Sequence, residues 1–302
     1  MLDFLPAFIR VPLGLLVLAT NTVLHCTVLF AFALLKFLLP VHALRTGLSR
    51  ILILIAESWI AVNGFTFWML TKIDWQVEGI NDLRYKGWYL VLSNHQSWVD
   101  IPVLQKTFNK RIPFLKFFLK QQLIWVPLLG LAWWALDFPF MKRHTKAFLE
   151  KHPEFKGKDL ETTRIACEKF RHVPVSVINF VEGTRFNESK RDQQQSPFIH
   201  LLRPKAGGVA FVLNAMGDIL QSIIDVTIVY PDGRPTFIDM LSGRLRTVRV
   251  FVRELPIPHD LLGGDYENDP AYRERFQQWV TGLWREKDAM IERLLAGQNA
   301  LA

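Results

Sequence analysis

Two cysteines, Cys26 and Cys167, are all the thiols in 302 residues, and they stand far apart, one of them inside the first apolar segment. That scarcity excludes a disulfide framework and a cysteine-built metal site, and both read as reduced and structural. The eight histidines are scattered, and no His or Cys pair has zinc-finger or H-E-x-x-H spacing, so no metal is indicated. A G-x-x-x-x-G-K-[ST] loop is missing, and Gly207-Gly208 is too slight for a dinucleotide fingerprint. There is no G-x-S-x-G elbow either, which disfavours the hydrolase triads. Internal repeats and low-complexity runs are absent as well.

Charge is scarce in two long apolar runs. Residues 11–35 hold no formally charged side chain; those 25 positions make about 37 Å of helix against a hydrocarbon core of about 30 Å. The run is too long for a signal-peptide core, and no small-residue cleavage site follows before Lys36. Residues 51–70 form a second candidate, interrupted by Glu57 and Asn63, which need protein partners at that depth. Lys36, Arg45 and Arg50 make the connection between the two basic, which holds it on the cytoplasmic side. A plain two-span hairpin would then put the rest of the chain outside; a second helix lying in the interface, or a shallow hairpin, keeps loop and body on one side. The second arrangement is favoured.

Acid is missing from residues 101–146, where Asp137 alone faces Lys106, Lys110, Arg111, Lys116, Lys120, Lys142, Arg143 and Lys146. Most of the net charge of +8 therefore sits in one segment. Half the residues are hydrophobic, including 10 Trp and 23 Phe, and Phe114, Phe117, Phe118, Trp125, Trp133 and Trp134 interleave the basic run. The mixture is too apolar for a nucleic-acid groove. It suits a membrane interface, where rings lie at headgroup depth and cations reach anionic lipid, and equally a buried helix with solvated lysines.

After residue 71 the apolar runs shorten. Strands are expected over 74–78, 88–92, 111–114, 136–140, 175–180, 223–230 and 247–252. Helices are expected over 101–108, 118–134 with a break at Pro127, 159–172, 206–216 and 271–295. The fold class is α/β, a mixed, largely parallel sheet flanked by helices and preceded by an N-terminal two-helix membrane segment. The division expected is a membrane segment over residues 1–73 and an α/β domain over 74–302.

Within LVLSNHQSWVD, residues 90–100, an apolar strand runs into His95, with Asp100 five positions further on. On one continuous helix these two would sit about 140° and about 7.5 Å apart and could not meet. Pro102 suits a first helical turn, so the helix begins at Asp100 or Ile101 and His95 lies on the preceding turn, free to fold back. A carboxylate on one ring nitrogen fixes the tautomer and raises the basicity of the other, which makes a general base. Asn94 and Asp100 read as well as turn and cap residues, with His95 bonded locally. A second strand end carries Glu182, Gly183, Thr184 and Arg185. Glycine permits close backbone approach and arginine offers a planar fork for phosphate, while a plain turn with a surface ion pair fits the same residues.

Taken together, NHQSWVD (residues 94–100) and FVEGTR (180–185) resemble the N-H-x4-D and F-x-E-G-T-R blocks of the lysophosphatidate acyltransferases, the PlsC family. FLKQQL with Pro127 and Gly130 is similar to the block between them, and FLKQQLIWVPLLG and NFVEGTRF look like the bacterial inner-membrane YihG-type branch. The resemblance covers residues 75–230. It implies transfer of a fatty acyl group from acyl-CoA, or acyl carrier protein, to the free hydroxyl of a lysophospholipid such as 1-acylglycerol-3-phosphate. His95 would be the base, Asp100 its orienting acid, Arg185 the phosphate ligand and Lys120 a second one, with Asn94, Glu182, Gly183 and Thr184 shaping the pocket. No cofactor is implied beyond the acyl donor as substrate, no nucleic acid, and a catalytic domain on the cytoplasmic face of a bacterial inner membrane. Gln122, where many members carry Glu, and IIDVTIVYPDG, which lacks the proline of the late block, depart from the pattern and leave the headgroup open. Another lysophospholipid acceptor, a thioesterase, and a catalytically silent lipid-binding protein stay as alternatives.

Overall fold

The computed structural model describes residues 2–141, 151–152, 164–165, 167–171 and 173–297. The chain opens with a helical hairpin, α1 (Ala7–Leu38) and α2 (His42–Leu70). The polar residues that made the second segment a doubtful span face protein. Asn63 Oδ1 accepts from Asn21 Nδ2 at 2.8 Å, closing the hairpin, and the buried Glu57 accepts from the Tyr85 hydroxyl at 2.7 Å. Both ends of α1 are tied to the rest of the molecule: the buried Arg10 donates to the carbonyls of Leu70 and Ser242, and Lys36 pairs with Asp137 at 2.9 Å.

The body holds a six-stranded sheet, β1 (Asp74–Glu78), β2 (Trp88–Ser93), β3 (Leu115–Phe117), β6 (Val175–Phe180), β7 (Ser222–Val229) and β8 (Thr247–Leu255), in the order β1-β8-β7-β2-β6-β3. Only β7 and β8 pair antiparallel, so the sheet is mixed and largely parallel, as the pattern of runs predicts. A separate two-stranded ribbon joins β4 (Leu119–Lys120) to β5 (Phe140–Met141). Helices of the body among the described residues include α3 (Asp100–Phe108), α4 (Leu129–Ala135), α5 (Glu188–Gln193), α6 (Gly207–Met216), α7 (Phe237–Ser242) and α8 (Pro270–Leu295).

Strand β2 is buried along nearly its whole length, which explains its unbroken apolar run. Its side chains divide the core between two layers. Tyr89 and Val91 join the layer packed under α1, α2 and α3, and Leu90 and Leu92 join the one under α6 and α8. Below that second layer Lys287 is fully buried against Asp225 at 2.7 Å and donates to the Val226 carbonyl at 2.6 Å, bolting α8 to β7.

Several expectations move. The strand placed at 111–114 lies at Leu115–Phe117, because Pro113 has no N–H for the ladder. The one at 136–140 shrinks to Phe140–Met141. The long helix over 118–134 is instead β4, a 3-10 turn (Gln121–Trp125) and α4, since residues 119–120 are drawn into pairing with β5 and Pro127 interrupts the remainder of the run. Gly130 is required there: a Cβ would stand 2.0 Å from the Ile124 carbonyl oxygen. Of the helix at 159–172, residues 164–165 and 167–170 are helical and most of the rest lies outside the described residues. Helices α5 and α7 have no counterpart among the expectations.

Candidate active site

Two loops from the carboxyl ends of neighbouring parallel strands, β2 and β6, meet at His95. Where β2 ends, the buried Asn94 side chain continues the ladder onto β7, donating from Nδ2 to the Ile228 carbonyl and accepting from the Ile228 N–H, both at 2.9 Å. The His95 backbone is then clamped by the second loop. Its N–H donates to Glu182 Oε1 at 2.9 Å, and its carbonyl accepts from the Phe186 N–H at 2.7 Å.

Helix α3 begins at Asp100, with Pro102 in its first turn, and the preceding turn carries the imidazole back to the acid. His95 Nδ1 lies 2.7 Å from Asp100 Oδ2. That oxygen also accepts from the N–H groups of Gln96 at 2.6 Å and Ser97 at 2.9 Å, while Oδ1 accepts from the Tyr230 hydroxyl at 2.6 Å. Asp100 is fully buried, so every donor aimed at it acts in a medium of low dielectric. Burial and the adjacent carboxylate push the Tyr230 hydroxyl well above its ordinary pKa, so it stays a donor. The ring stacks on Phe180 at 4.0 Å, and Nε2 makes no hydrogen bond to the described residues. The imidazole is thus fixed at one nitrogen and available at the other.

Glu182 is a brace. Besides His95, its Oε2 accepts from the Leu202 N–H at 2.9 Å. Burial pushes its carboxyl up to about 8, against the two N–H bonds that pull it down. A folded-state value above the unfolded one, ordinarily about 4.3, means the folded protein holds the extra proton between them. Stability therefore falls as pH rises from about 4.3 to about 8. Denaturant titrations across that window should show the decline, and Glu182→Gln should flatten it while costing about 1–3 kcal/mol, because the amide turns an N–H toward a backbone donor. A variant with the same slope as the parent would show that another group titrates.

Gly183 takes a left-handed conformation (φ 69°) that closes the turn after β6, its N–H donating to the Phe180 carbonyl at 2.8 Å. Lys190 donates to the Thr184 hydroxyl at 2.9 Å and to the Arg185 carbonyl at 3.0 Å, holding the loop. The exposed Arg185 guanidinium lies 4.6 Å from the ring of Trp98, on the histidine's own loop, and forms no ion pair with the described residues. Lys120 is exposed on β4, three residues beyond Phe117, whose ring lies 6.0 Å from that of Phe180. The structure therefore brings together Asn94, His95, Asp100, Glu182, Gly183, Thr184 and Arg185. Phe180, the first residue of the FVEGTR run, and Tyr230, Trp98 and Lys190, which no spacing pattern marks, complete the site.

A family model described as Acyltransferase matches residues 74–231, which hold both loops. The chain belongs to the acyltransferase family. Among relatives of this acyltransferase-family chain, the human 1-acyl-sn-glycerol-3-phosphate acyltransferase delta is 23% identical over 217 residues, covering 67% of this chain and 52% of its own. The 1-acyl-sn-glycerol-3-phosphate acyltransferase 3 of Arabidopsis thaliana is 24% identical over 306 residues, covering 95% and 74%. The chain spans about half the length of the animal relatives it matches. A crystal structure of the 1-acyl-sn-glycerophosphate acyltransferase PlsC from Thermotoga maritima shares the fold, with TM-score 0.52 at 19% identity over 92% of this chain and 97% of that one.

Proposed function

We propose that this protein transfers a fatty acyl group from acyl-CoA, or acyl carrier protein, to the free hydroxyl of a lysophospholipid, with 1-acylglycerol-3-phosphate as the acceptor that the named relatives favour. The observation that carries the reading is the imidazole held at Nδ1 by a buried carboxylate, 2.7 Å away, with Nε2 open, while the Arg185 guanidinium, without an ion pair among the described residues, lies 4.6 Å from the ring of Trp98 on the same loop as His95. In the proposed step His95 Nε2 takes the acceptor hydroxyl proton as the oxygen attacks the thioester carbonyl. The C–S bond breaks, and the proton returns from the imidazolium to the leaving thiolate. Asp100 stabilises that imidazolium, and Arg185 holds the acceptor phosphate in a planar fork. No acyl-enzyme forms.

The test incubates purified protein with labelled acyl-CoA, with and without lysophosphatidate. Diacyl product appearing only with the acceptor supports transfer; free fatty acid as the sole product makes the protein a thioesterase; neither, with lipid still bound, leaves a binding protein. In the same assay Arg185→Ala should raise KM for the phosphorylated acceptor about tenfold or more while changing kcat little, since it removes a charged contact made before and during attack. An unchanged KM would remove Arg185 from the acceptor site.

The hairpin is proposed to lie in one leaflet rather than cross the bilayer. Helix α1 is about 48 Å long at 1.5 Å per residue, longer than the hydrocarbon core, and it carries Phe8, Leu16, Leu24 and Phe37 outward. Yet the folded body touches both its ends, through Arg10 and Lys36. Crossing upright would draw that charged body into hydrocarbon. Val41→Cys, at the hairpin's tip, should react with an impermeant maleimide from the same membrane side as Asp232→Cys; labelling from opposite sides would establish a span.

A further inference from the structure

At the outer edge of the six-stranded sheet, beside β3, lies a cavity of about 300 Å3 that shares none of the residues of the His95 centre. Lys36 from the end of α1, Arg45 from the start of α2, Lys116 from β3 and Lys169 line it, against the single carboxylate of Asp137. That carboxylate is already engaged by Lys36 at 2.9 Å. Among the described residues the cavity thus has a surplus of positive charge, four cations against the one carboxylate of Asp137.

Lys116 is the informative residue. It is only 7% exposed, on an edge strand, yet its ammonium makes no hydrogen bond or ion pair with the described residues; it overlies the Phe170 ring at 4.7 Å and feels Asp137 at longer range. A buried charge is retained at such a place when something pairs with it. Burial pushes it down to about 8, which still leaves a large charged fraction near neutral pH and a strong gain on meeting an anion. The surroundings indicate which anion. Phe37, Leu38 and Leu44, next to Lys36 and Arg45 in the chain, are 75%, 63% and 51% exposed. Cations set among outward-facing apolar side chains mark the boundary where hydrocarbon gives way to headgroups. The volume is at the lower end for small-molecule sites, about 300–1,000 Å3, which suits a headgroup better than a whole nucleotide carrier.

We propose that this cavity is a binding site for the phosphate of an anionic membrane phospholipid, held by Lys116, Lys169 and Arg45 and separate from the centre around His95. A lipid seated there ties the hairpin's tip to the headgroup layer. The proposal does not depend on the reaction assigned to the His95 centre.

The experiment measures binding of dihexanoyl phosphatidylglycerol, dihexanoyl phosphatidylcholine and inorganic phosphate to the full-length protein in neutral detergent. Phosphatidylglycerol should bind about tenfold or more tightly than phosphatidylcholine, and Lys116→Met and Lys169→Gln should each weaken it by about tenfold, the loss of one charged contact. Lys169 is exposed, so its variant tests the site even if the buried substitution disturbs folding. Arg185→Ala should leave this binding unchanged. Equal affinities in the parent and both lysine variants would overturn the proposal, as would loss of binding in Arg185→Ala, which would place the lipid at the His95 centre. Inorganic phosphate displacing the lipid at matched concentration would assign the cavity to soluble phosphates and overturn it too.

Discussion

His95→Ala lowers kcat for acyl transfer by about 10²–10⁴, the range supplied by a positioned general base, while the protein melts close to the parent temperature. The first half rests on the ring's placing. Nδ1 is committed to Asp100 at 2.7 Å, Nε2 has no partner among the described residues, and no neighbouring side chain on the loop can take a proton in its stead. The second half rests on the contacts the loop keeps. Its backbone is held by Glu182 Oε1 and the Phe186 N–H, neither of which touches the imidazole, and Asn94 still bridges to Ile228. The stacking on Phe180 and the Nδ1 contact to Asp100 are lost, while the acid keeps the Gln96 and Ser97 N–H groups and the Tyr230 hydroxyl as donors. Added imidazole, entering the vacated space over Phe180, should restore part of the rate. Steady-state kinetics with a melting curve decide the matter: parent-like turnover would end the general-base assignment, and a collapsed melting temperature would recast His95 as structural.

Asp100→Asn gives the second large effect, a fall in kcat of about 10²–10³ at nearly unchanged KM. The substitution keeps volume and much of the hydrogen bonding. The amide oxygen can take the place of Oδ2, accepting from His95 and from the N–H groups of Gln96 and Ser97, and the amide NH2 then faces Tyr230. The charge that stabilises the imidazolium disappears, an effect present only once the proton has moved, so the loss falls on kcat. The fully buried Tyr230 hydroxyl has to turn acceptor, which strands its own proton at about 1–3 kcal/mol of stability. Equal kcat in the variant and the parent would show that Asp100 serves only to fold the loop.

The legible parts of this protein were those where one local rule acted alone. Strand β6 lies at residues 175–180 and β1 at 74–78, the bounds its apolar run and flanking breaks predict, and Pro102 marked the start of α3. Residues 111–141 misled because two rules competed. Their apolar spacing suits a helix, yet Leu119 and Lys120 pair with Phe140 and Met141, and Leu128 takes a positive φ of 62° before α4 begins. Pairing between segments twenty residues apart leaves no mark in a local window. Glu57 and Asn63 show the converse: the sequence marks them as needing partners, and only the fold names Tyr85 and Asn21 as those partners.

By itself the sequence determined which residues can do chemistry. The five-residue offset of His95 and Asp100 with proline two places on, and the glycine and arginine that come after Glu182, are local properties, dictated by chain geometry over a turn. Tertiary structure alone decided that the two loops share an edge, because β2 and β6 pair in parallel register with Ser93 beside Phe180. It also decided that Tyr230 caps the acid from β7's end and that Lys116 sits buried beside a basic cavity. Those contacts join segments separated by up to 130 positions, and only the packed sheet, through burial and strand order, fixes which distant side chains meet.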